Sequence, residues 1–230
     1  RKMVRGSIVI TTFNRKDVLL ERSLPSALNQ NVKRFEVIVV DDCSTDGTRE
    51  ALEPYIRRHG VRYVKHNTNK GLAAARNTGA REARYDYLVF LDDDDELYQD
   101  FLETTVPILH NDKSIDAVGG RRIEIYPEAR IEAEMPNLNG LYISMDDGFL
   151  FRKDVFDKIQ YDETLLTNED ADFGLQFRHA DLTLKVLDRP LLMKYGHAPN
   201  DPKSWSSASD RTTMGMLKFW QKNSAFYLKE

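Results

Sequence analysis

Short apolar runs rich in β-branched residues alternate with helix-like segments through the first half of the chain, and no other feature restricts the fold as much. The runs are "SIVITTF" (Ser7–Phe13), "EVIVVD" (Glu36–Asp41), "VRYVKH" (Val61–His66) and "YLVFL" (Tyr87–Leu91). Between them Lys16–Gln30, Thr48–His59 and Leu72–Arg84 carry helical patterns, with Gly60 placed to end the second. Such alternation predicts βαβ units, hence an α/β domain with a mostly parallel, Rossmann-like central sheet flanked by helices. Pro25 and Pro54 fall inside two of the helical segments, where a missing N–H predicts a kink.

The second half is looser. It predicts strands near Ala117–Tyr126 and Leu141–Ser144, a helix over Glu169–Ala180, a strand near Thr183–Val186 and a closing helix over Ser209–Lys222. No element is assigned between Leu91 and Ala117, and "APNDPKSWSSASD" (Ala198–Asp210) reads as a mobile loop.

At 230 residues the chain suits a single domain with one substantial core. A composition of 41% hydrophobic and 30% charged residues is that of a soluble globular protein. The net charge of -4 argues against a nucleic-acid footprint, which needs a clustered basic surface. No apolar stretch approaches the roughly 18 residues of a membrane span. One cysteine, Cys43, excludes an intrachain disulfide and fits a cytoplasmic, reducing compartment. The final segment "MLKFWQKNSAFYL" mixes aromatic residues with lysines, which suits peripheral contact with the inner face of a membrane or with a partner domain, or simply a cover for the core. The first residue is Arg rather than Met, as expected of a piece of a longer protein.

Two of the apolar runs end in acid. "YLVFLDDDDE" places Asp92, Asp93, Asp94 and Asp95 at the carboxyl end of a buried strand, where open α/β sheets bind ligands. Side chains alternate in an extended segment, so Asp92 and Asp94 are expected on one face and Asp93 and Asp95 on the other. Neighbouring carboxylates repel, and a hard divalent cation with oxygen ligands offsets that. A solvated acidic turn is the ordinary outcome for a charge run, but it does not explain the buried strand before it. "VIVVDDCSTDGT" repeats the arrangement with Asp41, Asp42, Ser44 and Asp46, and there Asp46 or Thr48 can equally cap the next helix. Together they predict two adjacent parallel strands ending in acid at one sheet edge. A third acidic group, Glu169, Asp170 and Asp172 in "NEDADFGLQFR", opens a helix whose Phe173 and Phe177 share a face; helix capping is the plain reading of those acids.

With "SIVITTFNRKDVLL" and "NKGLAAARNTGAREA", these motifs stand in the order and spacing of the family 2 glycosyltransferases, which the chain resembles over roughly residues 4 to 195. The resemblance implies a GT-A fold and inverting, metal-dependent transfer from a nucleoside-diphosphate sugar, most often a UDP-sugar, to a hydroxyl of a glycan or lipid-linked acceptor. It divides the chain into a nucleotide-sugar-binding half (about 1–115), an acceptor-binding half (about 116–205) and a C-terminal helix (about 206–230). Thr11, Phe13, Asn14 and Asp42 then match positions that hold the base and ribose, and Gly71 and Arg76 those beside the diphosphate. Asp92 and Asp94 match the Asp-x-Asp motif that binds Mn²⁺ or Mg²⁺, Asp93 assists at the ribose, and Asp95 caps the segment after it. His197 in "KYGHAP" is the counterpart of a C-terminal metal-binding histidine, although a lone histidine after a strand is commonly structural. Asp170 is the implied catalytic base. Asp146, Asp147 and Glu169 are implied on the acceptor side; the Ala198–Asp210 loop, by its composition and position, is expected to close over the donor as a lid with Trp205 as its apolar residue.

Other classes share single features with this chain. A phosphohydrolase of the haloacid dehalogenase type also has Asp-x-Asp after an apolar strand, but it expects Thr or Val where Glu96 stands. A sugar nucleotidyltransferase expects a Gly-rich, Arg-containing opening that is missing after the first run. The presence of both acidic metal positions, Asp92 and Asp94, and of the Glu169–Asp170 pair argues against a non-catalytic nucleotide-sugar-binding module.

Overall fold

The computed structural model describes residues 5–126, 129–133, 144–196, 217–219 and 221–223. Its strands are β1 (Arg5–Thr12), β2 (Arg34–Asp41), β3 (Arg62–Lys65), β4 (Tyr87–Asp92), β5 (Glu96–Leu97), β6 (Ala117–Tyr126), β7 (Ala129–Ala133), β8 (Leu150–Arg152) and β9 (Leu184–Tyr195). The helices that accompany them are α1 (Lys16–Glu21), α2 (Ser23–Leu28), α3 (Thr48–His59), α4 (Leu72–Glu82), α5 (Phe101–Asn111), α6 (Val155–Lys158) and α7 (Glu169–His179). These strands join one sheet in the order β3-β2-β1-β4-β8-β6-β9-β5, with β7 on β6. The expected α/β sheet flanked by helices is what forms.

The first four strands pair in parallel, and the order reverses between β1 and β4. Alternate residues feed two cores. Ile8, Ile10, Val37, Val39, Val89 and Leu91 pack with Leu19, Leu24, Leu52 and Phe101 of α1, α2, α3 and α5. Val9, Ile38, Val40, Leu88 and Phe90 face α4, α6 and α7. Both faces are covered, which is why these runs are continuously apolar. Helix α4 lies so close to β1 that a Cβ on Gly79 would stand 2.1 Å from Val9 Cγ1. The chain changes face with α4 as it leaves β3 for β4, and it is at such a switch point, here the carboxyl ends of β1 and β4, that open α/β sheets form their ligand crevice.

Several expectations are corrected. The acid-ended strands β2 and β4 are not adjacent; β1 lies between them. The helix over Lys16–Gln30 breaks at Arg22, which places Pro25 in the first turn of α2, where its missing N–H costs nothing. Helix α3 runs through Pro54. The unassigned stretch after Leu91 contains β5 and α5, and "LFR" and "VFDK" form β8 and α6. The strand read at Thr183–Val186 extends to Tyr195 because β9 pairs with β6 through an irregularity that accommodates Pro190. Ser144 is in no strand, and the rest of the Leu141–Ser144 reading, like the Ala198–Asp210 loop, lies outside the described residues. At the chain end, Phe219 packs on Ala171 and Leu175 of α7, and Lys222 pairs with Asp162 and Asp172.

Candidate active site

Strand β1 delivers Thr11 and Thr12 to the crevice, and pairing sets Thr11 opposite Asp92 and Thr12 opposite Asp41. The chain then turns through Phe13 into Asn14, whose left-handed φ of 53° aims its amide at Ser44 Oγ, 2.8 Å away. Asn14 Oδ1 accepts from Thr45 N at 2.8 Å, which joins the ends of β1 and β2. Asp42 is buried and accepts from Lys70 N (2.8 Å) and Gly71 N (2.7 Å), with His66 Nδ1 also 2.7 Å away. Asp42 thereby fixes the turn into α4, and Gly71, at φ 90°, supplies a backbone shape that other residues resist.

The four aspartates do not alternate. Asp95 N donates to Asp92 O at 3.3 Å, so the chain turns at once and sorts the carboxylates in another way. Asp93 and Asp94 face Arg15, at 3.1 and 2.7 Å. Thr12 Oγ1 also donates to Asp93 at 2.7 Å. Asp92 and Asp95 turn toward Asp147, and these three can place oxygens within 4.8 Å of one another. Asp95 caps no helix: it accepts from Tyr195 N at 2.8 Å and from Lys194 Nζ at 3.0 Å.

Lys194, which the sequence did not single out, stands among four carboxylates. Its Nζ lies 3.0 Å from Asp95, 3.0 Å from Asp147, 3.2 Å from Asp146 and 3.7 Å from Asp92. Nothing local signals this, because β9 brings it to the cluster from about a hundred residues away; a run of four aspartates does, however, call for counter-charges. Arg15 and Arg76 are two others.

Arg76 is 1% exposed and joins the two halves of the site, reaching Asp92 at 3.0 Å and Glu169 at 3.1 Å. It therefore points at carboxylates, with Tyr161 beneath its guanidinium. Beside Glu169 at the start of α7, Asp170 accepts from Ser144 Oγ, and its carbonyl accepts from Met145 N at 3.2 Å. His197 and Trp205 lie outside the described residues.

Burial dominates the electrostatics. It pushes Asp93 and Glu169 up to about 7 and Asp147 up to about 6, against the opposing pull of Arg15, Arg76 and Lys194 respectively. Asp95 is raised well above its usual range by burial and the neighbouring Asp147. Asp92 is held low despite its burial, because Arg76 and Lys194 both stand beside it. An all-oxygen donor set suits a hard divalent cation, and the buried Asp147 Oδ2 has no hydrogen-bond partner among the described residues, as suits an oxygen kept for a ligand.

Comparison with known proteins gives the chain a family and a fold. Residues 7–172 match the family described as "Glycosyl transferase family 2". The chain is 40% identical over 100 residues to the putative teichuronic acid biosynthesis glycosyltransferase TuaG of Bacillus subtilis (strain 168), covering 42% of this chain and 38% of TuaG. It is 29% identical over 215 residues to the uncharacterized glycosyltransferase EpsJ of the same organism, covering 84% of this chain and 61% of EpsJ. The chain thus spans less than two thirds of these relatives. The crystal structure of S. aureus TarS 1-349 in complex with UDP-GlcNAc has the same fold, with a TM-score of 0.70 and 22% identity over 89% of this chain and 61% of that one. By its sequence over residues 7–172, the chain belongs to glycosyl transferase family 2.

Proposed function

We propose that this chain transfers a sugar, with inversion, from a UDP-linked donor to a hydroxyl of a glycan or lipid-linked acceptor in polysaccharide assembly. The observation that carries the reading is the joining, at the β1/β4 crevice, of the Asp92 cluster through Arg76 to Glu169, the residue that precedes Asp170 at the start of α7. Family membership supports a nucleotide-sugar donor; UDP as its nucleotide is supported by the complex of TarS with UDP-GlcNAc, and a polymeric product by the teichuronic acid named for TuaG.

In this reading residues 1–115 bind the donor and 116–205 the acceptor, while Phe219 and Lys222 cover α7. Thr11, Phe13, Asn14 and Asp42 shape the base and ribose pocket, with Asp93 at its edge. Gly71 and the turn it opens lie beside the diphosphate, and Arg76 holds Asp92 and Glu169 in position. Mn²⁺ or Mg²⁺ held by Asp92, Asp95 and Asp147 would supply positive charge against the leaving diphosphate. Asp94 and His197 are the further ligands that the family pattern implies; Asp94 here is paired with Arg15.

Asp170 takes the acceptor proton as the hydroxyl oxygen bonds to the anomeric carbon and the donor's C–O bond breaks, its electron pair leaving with the diphosphate. Asp170 fits that task better than Glu169, whose Oε1 is committed to buried Arg76. Asp146, Asp147 and Glu169 bound the acceptor side, to which Trp205 is assigned from the sequence alone. Association with the inner face of a membrane would bring the chain to a lipid-linked acceptor; no helix among the described residues is long and apolar enough to cross one.

The test combines donor binding with turnover. UDP should raise the melting temperature more than GDP, dTDP, CDP or ADP do, and only with Mn²⁺ rather than EDTA; saturation at about a hundred times Kd adds about 2.7 kcal/mol. Asp170→Asn should keep that shift while release of UDP from UDP-sugars over a glycan panel slows by about 10² to 10⁴ fold. Turnover close to wild type in Asp170→Asn overturns the assignment of the base, and no response to any nucleotide overturns the reading itself.

A further inference from the structure

The ammonium of Lys194 sits where a divalent cation would have to sit. Four carboxylates come within 3.7 Å of its Nζ, and three of them, Asp92, Asp95 and Asp147, form the group whose oxygens lie within 4.8 Å of one another. Its hydrogen bonds use Asp95 Oδ2 and Asp147 Oδ1. A divalent ion bonds carboxylate oxygens at roughly 2.0–2.6 Å, so on these three carboxylates it would stand beside the ammonium, and two cations that close repel strongly. The lysine is tethered at the far end of β9 by a flexible four-carbon stem, and 28% of its side chain is exposed, which leaves a way out to solvent. Asp147 Oδ2 is buried and unpartnered among the described residues, so the ammonium does not satisfy the cluster in full.

We propose that Lys194 is a built-in competitor for the divalent cation: it neutralises the carboxylate cluster when no metal is bound and must leave before metal can enter. The inference rests on the cation site of the proposed function. Lys194 acts through the carboxylates and is a positioning residue. It offsets the charge of the cluster and lowers the apparent metal affinity by the fraction of molecules in which the cluster is open.

The sign of the mutational effect separates competition from mere support, because loss of a supporting residue weakens metal binding while loss of a competitor strengthens it. Mn²⁺ is titrated into the full chain and the free ion is followed by its paramagnetic resonance signal, with no nucleotide present. Lys194→Met should bind Mn²⁺ at least about tenfold more tightly than wild type, as expected if the cluster is open in about a tenth of molecules or fewer. Lys194→Arg, which keeps a cation there, should gain nothing, and Asp147→Asn should bind more weakly. If Lys194→Met does not fold in EDTA, Lys194→Gln is titrated in its place and the same gain is required. Unchanged or weaker binding in the neutral variant, with Asp147→Asn still weakened, overturns competition and leaves the cation site standing. Binding insensitive to Asp147→Asn, or absent from every variant, overturns both.

Discussion

Arg76 ties the donor and acceptor sides of the crevice together, and its environment fixes what its loss should do. The guanidinium is buried, its two terminal nitrogens are committed to Asp92 and Glu169, and its Nε has no partner among the described residues. Such an ion pair adds little net stability compared with a well-packed apolar pair, but removing one member leaves a bare charge indoors. Arg76→Met should therefore lower stability by about 3–5 kcal/mol at pH 7.5 in urea denaturation. At pH 5 the loss should shrink, because Glu169, pushed up to about 7 by burial, holds its proton there with or without the arginine, so removing Arg76 strands no carboxylate charge at that position. A loss that is equal or larger at pH 5 would mean that packing over Tyr161, rather than charge, is what the arginine supplies.

At the scale of elements, the close seat of α4 on β1 is what brings Arg76 to Asp92. Gly79 permits it, since a Cβ there would strike Val9 in the middle of the sheet. Gly79→Ala gains helix propensity of about 1 kcal/mol but meets an overpacking cost of about 1–3 kcal/mol, so the variant should be destabilised overall. Combining it with Val9→Ala should cost less than the sum of the two single changes, and strict additivity in denaturant midpoints would refute the contact. The elements that could be read from sequence are those whose pattern is local. Strands β1, β2 and β4 and helix α3 were legible because buried parallel strands and a Gly-terminated helix declare themselves within a few residues. Helix α5 was not, since "FLETTVPILHN" carries two β-branched threonines and Pro107. The full length of β9 was hidden by Pro190, tolerated only because of the irregular pairing with β6. The site followed the same division. The Asp92 run and Asp170 were visible as motifs, whereas the turn that pairs Asp92 with Asp95, and the arrival of Lys194 from β9, depend on long-range pairing that no local pattern encodes.

For the molecule as a whole, the crevice concentrates buried acids, and that determines how stability varies with pH. Glu169 is raised from 4.5 to about 7, Asp93 from 3.8 to about 7 and Asp147 from 3.8 to about 6, in each case chiefly by burial. Between the ordinary carboxylate range and pH 6–7 the folded chain keeps protons that the unfolded chain has already lost. Stability therefore falls as pH rises through this window, with each group contributing on the order of 1 kcal/mol per pH unit where the two states differ fully. Asp162 acts in the opposite sense at lower pH. Hydrogen bonds from Lys222 and Thr164 outweigh its partial burial and hold it at about 2, so its contribution is present above 3.8 and is lost as pH falls toward 2. The metal-free protein should thus be most stable near pH 4–5, and in EDTA the urea midpoint should drop steadily from pH 4.5 through 5.5 and 6.5 to 7.5. A flat or rising series would mean that Arg15, Arg76 and Lys194 compensate the buried carboxylates in full. A falling one would mean that at neutral pH the folded crevice carries uncompensated negative charge, which is the condition under which an added cation is most strongly held.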